Sequence, residues 1–219
     1  HAIVDDSALH LLEELSIEVD ALAAHLGRTL VLIAESDRND PRLVRSREAG
    51  GFGLDASWAD EWHHALHAVL TGERSGYYED FGSLEHLATA LRQAWVYDGT
   101  FSPHRRRVHG RSPAGLSGDR FVVSVQNHDQ VGNRATGDRL GALCTPAHLR
   151  IAAALLLTSP FTPMLFQGEE WAASTPFLYF TDHADPELAA AVSEGRPREF
   201  ERFGWDPADI PDPQDPATF

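Results

Sequence analysis

Apolar residues at Leu9, Leu12, Leu15, Val19, Leu22 and Leu26 recur in steps of three and four. That spacing predicts a helix starting after Asp5-Asp6-Ser7, a natural N-cap region, and stopping at Gly27. TLVLIA (29–34) is a continuous β-type run between polar residues, the pattern of a strand buried on both faces. Farther on, Asp60 is placed to cap a helix whose stripe is Trp62, Ala65, Leu66, Val69 and Leu70. A glycine- and tyrosine-bearing loop (72–82) leads to another helix over roughly 83–95. FVVSVQ (121–126) and TPMLFQ (162–167) read as strands, with a helix through Leu149, Ala152, Ala153 and Leu156 between them. The stretch 97–119 is too polar and too rich in Gly and Pro for regular structure, and a loop of that length inside a domain tends to be functional. GWDPADIPDPQDPATF (204–219), with its repeated Pro and Asp, reads as extended surface chain.

The order is helix followed by strand–helix units. Each strand ends in polar or aromatic residues: Glu35, Trp58, Asn127-His128-Asp129 and Gln167-Gly168-Glu169. Functional groups sit at the C-terminal ends of parallel strands in a (β/α)8 barrel, and ligands do so in a doubly wound sheet. No glycine-rich phosphate fingerprint follows a strand, which argues against a nucleotide role. Four strands are visible where a closed barrel needs eight, so the expected α/β fold is about half of a TIM barrel. Such a half exposes two strand edges and is not expected to be stable alone. The division expected is residues 1–204 as the half-barrel and 205–219 as the Pro/Asp-rich extended segment.

Composition narrows the partners. The 219 residues carry 18 Lys plus Arg against 33 Asp plus Glu, a formal charge of −15, which disfavours nucleic acid or an anionic membrane. No stretch approaches the ~18 consecutive apolar residues of a membrane helix. The one cysteine, Cys144, excludes an internal disulfide, fits a reducing cytoplasm and reads as a small buried or partly buried residue. The chain opens HAIVDD with neither an initiator Met nor a signal-peptide pattern, which reads as the interior of a longer protein.

The candidate chemistry lies in the carboxylates. Glu35 closes an apolar strand, where desolvation raises a carboxyl toward the range useful to a general acid. Asp129 stands among the hydrogen-bonding side chains of Asn127, His128 and Gln130, which favour its ionised form. Two carboxylates in opposite environments at strand ends suggest glycoside chemistry, although Glu35 taken alone is equally compatible with a structural role. Trp58, Tyr77, Tyr78, Tyr97 and Trp171 fall near strand ends and loops, where they can stack on sugar rings or simply anchor loops. Trp62 and Trp95 belong to helical stripes and the core. His63, His64 and His67 share a helix face, but no HExxH accompanies them, so no metal site is expected. HRRR (104–107) reads as a loop salt bridge, and the absence of GxSxG removes serine-hydrolase chemistry.

AESDRNDPRLV (34–44) together with SVQNHDQVGNRATGDRL (124–140) resembles the α-amylase-type glycoside hydrolases. GLDASWADEWHHALHAVLTGE (53–73), GYYEDFG (76–82), VYDGTFSPHRRRVHG (96–110) and MLFQGEEWAASTPFLYFTDH (164–183) narrow the resemblance to the branch that acts on maltooligosyltrehalose and releases trehalose. The resemblance implies a (β/α)8 barrel contributing strands 5–8 here, a retaining mechanism, and no cofactor. It matches Glu35 to the general acid/base and Asp129 to the carboxylate that binds sugar hydroxyls and supports the transition state. It also implies substrate contacts from His1, Asn39, Asp40, Trp58, His63, Tyr97, His128 and Gln130. The family's nucleophile is an aspartate in a motif resembling LDAVHAI, which places it three residues before His1, in the N-terminal half of the barrel. Without it the chain alone is expected to be inactive. A branching enzyme acting on related α-glucans and a non-catalytic glucan-binding fragment are the alternatives.

Overall fold

The computed structural model describes residues 3–199 and 206–218. Its frame is a parallel four-stranded sheet in the order β1-β2-β5-β6, made of β1 (Ile33–Ala34), β2 (Ala56–Trp58), β5 (Phe121–Ser124) and β6 (Thr162–Met164). Ile33 pairs with Ala56, Ser57 with Phe121, and Val122 with Thr162, so the strands of the sheet follow one another in chain order. The four expected strands are therefore all present, in the expected order and parallel.

Helices cover the sheet between the strands. α1 (Leu11–Leu26) precedes β1, and α2 (Asp60–Thr71) with α3 (Leu84–Gln93) lies between β2 and β5. The short α4 (His128–Gly132) and α5 (Leu140–Leu143), then α6 (Pro146–Thr158), lead to β6, and α7 (Pro186–Glu199) follows it. Local chemistry sets their ends. Ser83 Oγ accepts from His86 N at 3.1 Å to start α3, and Thr145 Oγ1 accepts from His148 N at 3.3 Å ahead of Pro146 in α6. Gly27 ends α1 in the left-handed region at φ +62°, as its position after the last leucine requires.

α2 is the centre of the core. Trp62, Ala65, Leu66 and Ala68 are buried against Leu87 and Ala90 of α3, Phe121 and Val123 of β5, and Ala152 and Leu156 of α6. The expected stripe understates this helix, because Glu61, His63, His64 and His67 are buried as well. Its polar face is roofed by the 76–81 turn, where Tyr77, Tyr78 and Phe81 pack on the imidazoles.

Four expectations need correction. The helix predicted to begin after Asp5-Asp6-Ser7 begins at Leu11, capped by the His10 ring, whose Nδ1 accepts from Leu12 N at 3.1 Å. Asp5 instead accepts from Leu11 N at 2.5 Å. The run 29–34 contributes only Ile33–Ala34 as strand, and it is not buried on both faces: Val31 is 58% and Ile33 48% exposed, because β1 is a sheet edge. The stretch 97–119 is not wholly irregular. It holds an antiparallel hairpin of β3 (Thr100–Ser102) and β4 (Arg107–His109), pinned where Asp80 accepts from Ser102 Oγ at 2.5 Å and from His104 N at 2.9 Å. Residues 206–218 form two short 3-10 turns rather than extended chain. Pro213 is fully buried, with its carbonyl accepting from Thr181 N at 2.8 Å.

α1 docks mainly through polar and edge contacts. Ser16 Oγ donates to Phe52 O at 2.7 Å, Arg47 donates to Ser16 Oγ at 2.8 Å and pairs with Asp20 at 2.8 Å, and the His10 ring stacks on Phe52. Of its periodic apolar residues Leu12 and Val19 are half-buried, while Leu15, Leu22 and Leu26, and Leu11 beside them, are between 43% and 50% exposed among the described residues.

Candidate active site

Three acidic residues occupy equivalent places, each just beyond the C-terminal end of a parallel strand: Glu35 after β1, Asp60 after β2 and Asp129 after β5. They interact. Asp60 is pushed up to about 7, first by burial and then by the negative charges of Asp129 and Glu35. The sheet thus gathers Glu35 and Asp129, 94 residues apart in sequence, around one shared neighbour. Asp60 is not the helix cap that its position suggested. It is the first residue of α2, the cap position is Ala59, and no side-chain cap bond forms there. It has no hydrogen-bond or ion-pair partner among the described residues.

Glu35 is exposed, so the burial assumed for it from the strand pattern is not supplied by the described residues. It lines a cleft of about 440 Å3 between β1 and the N-terminal segment, together with Asp5, His10, Arg38, Asp40 and Phe52. Asp129 does not line that cleft. It lies exposed in the first turn of α4, and its backbone is fixed by buried Asn127, whose Oδ1 accepts from Asp129 N at 2.8 Å and Gln130 N at 3.3 Å. Asn133 Nδ2 donates to Asp129 Oδ1 at 2.5 Å. Trp58, at the tip of β2, meets the exposed His128 ring edge-on with centroids 5.8 Å apart. Trp58 and His128 therefore flank the same strand ends as the three carboxylates.

The other proposed contact residues divide. Asp40 is tied up locally: it caps the 41–43 turn and pairs with Arg42 at 2.6 Å. Burial pushes its carboxyl up, but the Arg42 bonds outweigh this and hold it below the usual range. Asn39, in the left-handed region at φ 50°, is buried and donates to Tyr97 O at 2.9 Å. Tyr97 is buried too, its N–H bound by Glu61 at 2.8 Å and its ring against Phe81 and His109. His63 spans from α2 to the end of β5: Nδ1 donates to Val125 O at 2.6 Å, which leaves Nε2 to accept from the Tyr78 hydroxyl at 2.8 Å. Burial lowers His63 well below the usual range and keeps it neutral. Gln130 is buried beside it. These four residues are buried, and the side chains of Asn39 and His63 bond backbone carbonyls at loop and strand ends. His1 lies outside the described residues.

Two charge clusters frame the site. Arg105 pairs with Asp37 at 2.9 Å, which is the loop salt bridge expected of HRRR. On the other side, Arg134 makes paired bonds to Glu73 at 2.8 and 3.0 Å, and Glu73 takes the His67 ring at 2.5 Å. Burial pushes Glu73 up, but its hydrogen bonds to His67 and Arg134 outweigh this and hold it at about 2. Among the described residues no group of three or more His, Cys, Asp and Glu could hold a metal, and no helix is long and apolar enough to cross a membrane. Cys144 is partly buried, its thiol 3.3 Å from Leu140 O.

Sequence reasoning missed Asp60, Asn133 and Glu73. Asp60 had a usable signal, since it follows a strand end just as Glu35 does. Glu73 and Arg134 are 61 residues apart, and nothing in the local sequence announces their pairing.

No protein-family model matches the chain. It is 58% identical over 220 residues to malto-oligosyltrehalose trehalohydrolase of Arthrobacter ramosus, covering 100% of this chain and 38% of that protein. Against the Mycobacterium tuberculosis protein of the same name, strain H37Rv, identity is 52% over 221 residues, again 100% and 38%. The Saccharolobus solfataricus protein of that name is 48% identical over 199 residues, or 91% of this chain and 34% of its own length. The chain thus spans about 38% of the length of the first of these relatives. A crystal structure from Salmonella typhimurium, provisionally designated an alpha amylase, superposes with a TM-score of 0.87 and 40% identity over 99% of this chain and 37% of its own. The resemblance read from the motifs, to α-amylase-type hydrolases and to their trehalose-releasing branch, is borne out by these likenesses.

Proposed function

We propose that the protein containing this chain is a retaining glycoside hydrolase. It cleaves the α-1,4-glucosidic bond next to the terminal trehalose unit of maltooligosyltrehalose and releases trehalose. The observation that carries this reading is the gathering of Glu35 and Asp129 at the ends of the two strands that flank β2 in one parallel sheet, with Trp58 and His128 beside them. The names borne by the relatives supply the substrate. In this reading the four parallel strands are strands 5–8 of a (β/α)8 barrel, with residues 1–204 in the half-barrel and 205–219 a Pro/Asp-rich segment near the end of the barrel domain. The remaining strands and the nucleophilic aspartate belong to the part that its relatives possess upstream of the matched region.

The chemistry follows from the roles. Glu35 protonates the glycosidic oxygen as the upstream aspartate attacks the anomeric carbon. The bond to the leaving sugar breaks and a glycosyl-enzyme ester forms. Glu35, now ionised, takes a proton from water, which displaces the aspartate and restores the acid. Asp129 accepts hydrogen bonds from sugar hydroxyls, which strengthen as the ring flattens toward an oxocarbenium-like state. Trp58 and His128 supply an aromatic edge for a pyranose ring. Glu35 gains the desolvation that its role needs when substrate and the rest of the barrel cover it. A lone cysteine fits a cytoplasmic protein, which is part of the same proposal.

Product analysis of the full-length protein tests the reading. Free trehalose from maltooligosyltrehalose supports it, whereas new α-1,6 branches would make the protein a branching enzyme. Glu35→Gln should abolish hydrolysis while largely sparing binding, and retained turnover removes Glu35 from the acid role. The 219 residues alone should show no turnover, and hydrolysis at an ordinary enzymatic rate would refute the placement of the nucleophile outside them.

A further inference from the structure

Beyond the strand-end carboxylates, the structure contains a buried cation that reaches Asp129 through one intermediary. Arg196 of α7 is 7% exposed. Its guanidinium donates to Gly132 O at 2.6 Å and to Asn133 Oδ1 at 3.0 Å, and it lies 4.3 Å over the Tyr179 ring. Asn133 in turn donates from Nδ2 to Asp129 Oδ1 at 2.5 Å. A guanidinium can only donate, so the Asn133 atom that faces it is fixed as the carbonyl oxygen. The amide N–H2 is thereby fixed toward Asp129. Asparagine without such a partner can present either end.

We propose that Arg196 and Asn133 are positioning residues for Asp129. Arg196 locks the Asn133 amide in the orientation that donates to one carboxylate oxygen, which leaves the other oxygen aimed at substrate. The proposal rests on the reading of Asp129 as a transition-state carboxylate. Residues before α4 fix only its backbone, through the Asn127 cap. The side chain is set from the opposite direction, by Arg196, 67 residues farther along the chain. A residue past the last strand of the sheet thus acts on the catalytic face without touching substrate.

The informative variant is Asn133→Asp in the full-length protein. It keeps the side-chain volume and the pairing with Arg196 but replaces the donor to Asp129 by a second carboxylate that repels it, so a merely structural role predicts a shifted melting temperature and unchanged turnover. The positioning role predicts that kcat falls about 10- to 100-fold, the worth of one hydrogen bond to a charged group, with KM for maltooligosyltrehalose little changed. Arg196→Met should lower kcat by a smaller factor, and Arg196→Lys, which retains a buried donor, should recover most of that loss. Asp129→Asn is the control. If it abolishes turnover while Asn133→Asp matches wild type, the relay is refuted and the role of Asp129 stands. If Asp129→Asn is fully active, the assignment of Asp129 and the relay both fall.

Discussion

Replacing Asp60 by Asn should make the protein more stable at alkaline pH and leave it unchanged in strong acid. Asp60 stands at about 7 in the folded protein against 3.8 for a free aspartate, because burial and the charges of Asp129 and Glu35 disfavour its ionised form. Below about pH 4 it is protonated in both folded and unfolded states, and no stability is lost. Between about 4 and 7 the unfolded chain releases the proton while the folded protein keeps it. The unfolded state then binds fewer protons, and stability falls by about 1.4 kcal/mol per pH unit. Above about 7 both states are ionised and the loss is complete. Roughly three pH units at that slope give about 4 kcal/mol. Solvent reaching part of the carboxylate reduces the expected difference to about 2–4 kcal/mol. Asparagine does not titrate, so Asp60→Asn should remove this part of the slope. Urea midpoints of the full-length wild type and variant, measured from pH 4 to 8.5, should coincide at the acid end and separate steadily to about pH 7. Parallel curves would show that Asp60 ionises without penalty and that the three strand-end carboxylates do not share a field.

Two other substitutions test the scaffold around the site. Glu73→Gln should destabilise the protein by about 1–2 kcal/mol by leaving Arg134 and His67 without their anion. Since Glu73 is held at about 2, below its ordinary value of 4.5, that deficit should be full above pH 4.5 and vanish as pH falls toward 2; a pH-independent deficit would refute the ion-pair account. Gly110 has φ +74°, and a Cβ there would collide with the Tyr97 carbonyl that Asn39 also binds. Gly110→Ala should therefore cost about 2–3 kcal/mol, read as a lower urea midpoint, and a variant as stable as wild type would mean that this turn relaxes freely.

The parts of the molecule that were legible in the sequence are those governed by short-range pattern. The apolar runs before Glu35, before Asn127-His128-Asp129 and before Gln167 mark strands, and their polar ends mark one edge of a parallel sheet. The stripe through Trp62, Ala65 and Leu66 marks α2. Pattern fails where a residue's role depends on what folds over it. His63, Tyr97, Asn39 and Gln130 look like cleft residues because they lie in the right motifs, yet all four are buried, and His63 and Asn39 bond buried carbonyls while Tyr97 packs a loop. Asp60 looks like a cap because it opens a helix, and only the sheet register brings it beside Glu35 and Asp129. The Arg196–Asn133 contact joins α7 to α4, and no local periodicity encodes it. The leucines of α1 show the converse case: their spacing announces a helix correctly, but spacing carries no information about whether anything lies against them.

The exposed leucines of α1 set how this stretch of polypeptide behaves in bulk solution. Leu11, Leu15, Leu22 and Leu26 present greasy surface, as do Val31 and Ile33, and β1 adds an open sheet edge. Two copies meeting through it would bury area that neither buries alone, so the surface favours self-association. The melting point of the isolated 219 residues should then rise with protein concentration, and dilution, more than heat, would be the condition under which the segment shows its intrinsic fragility.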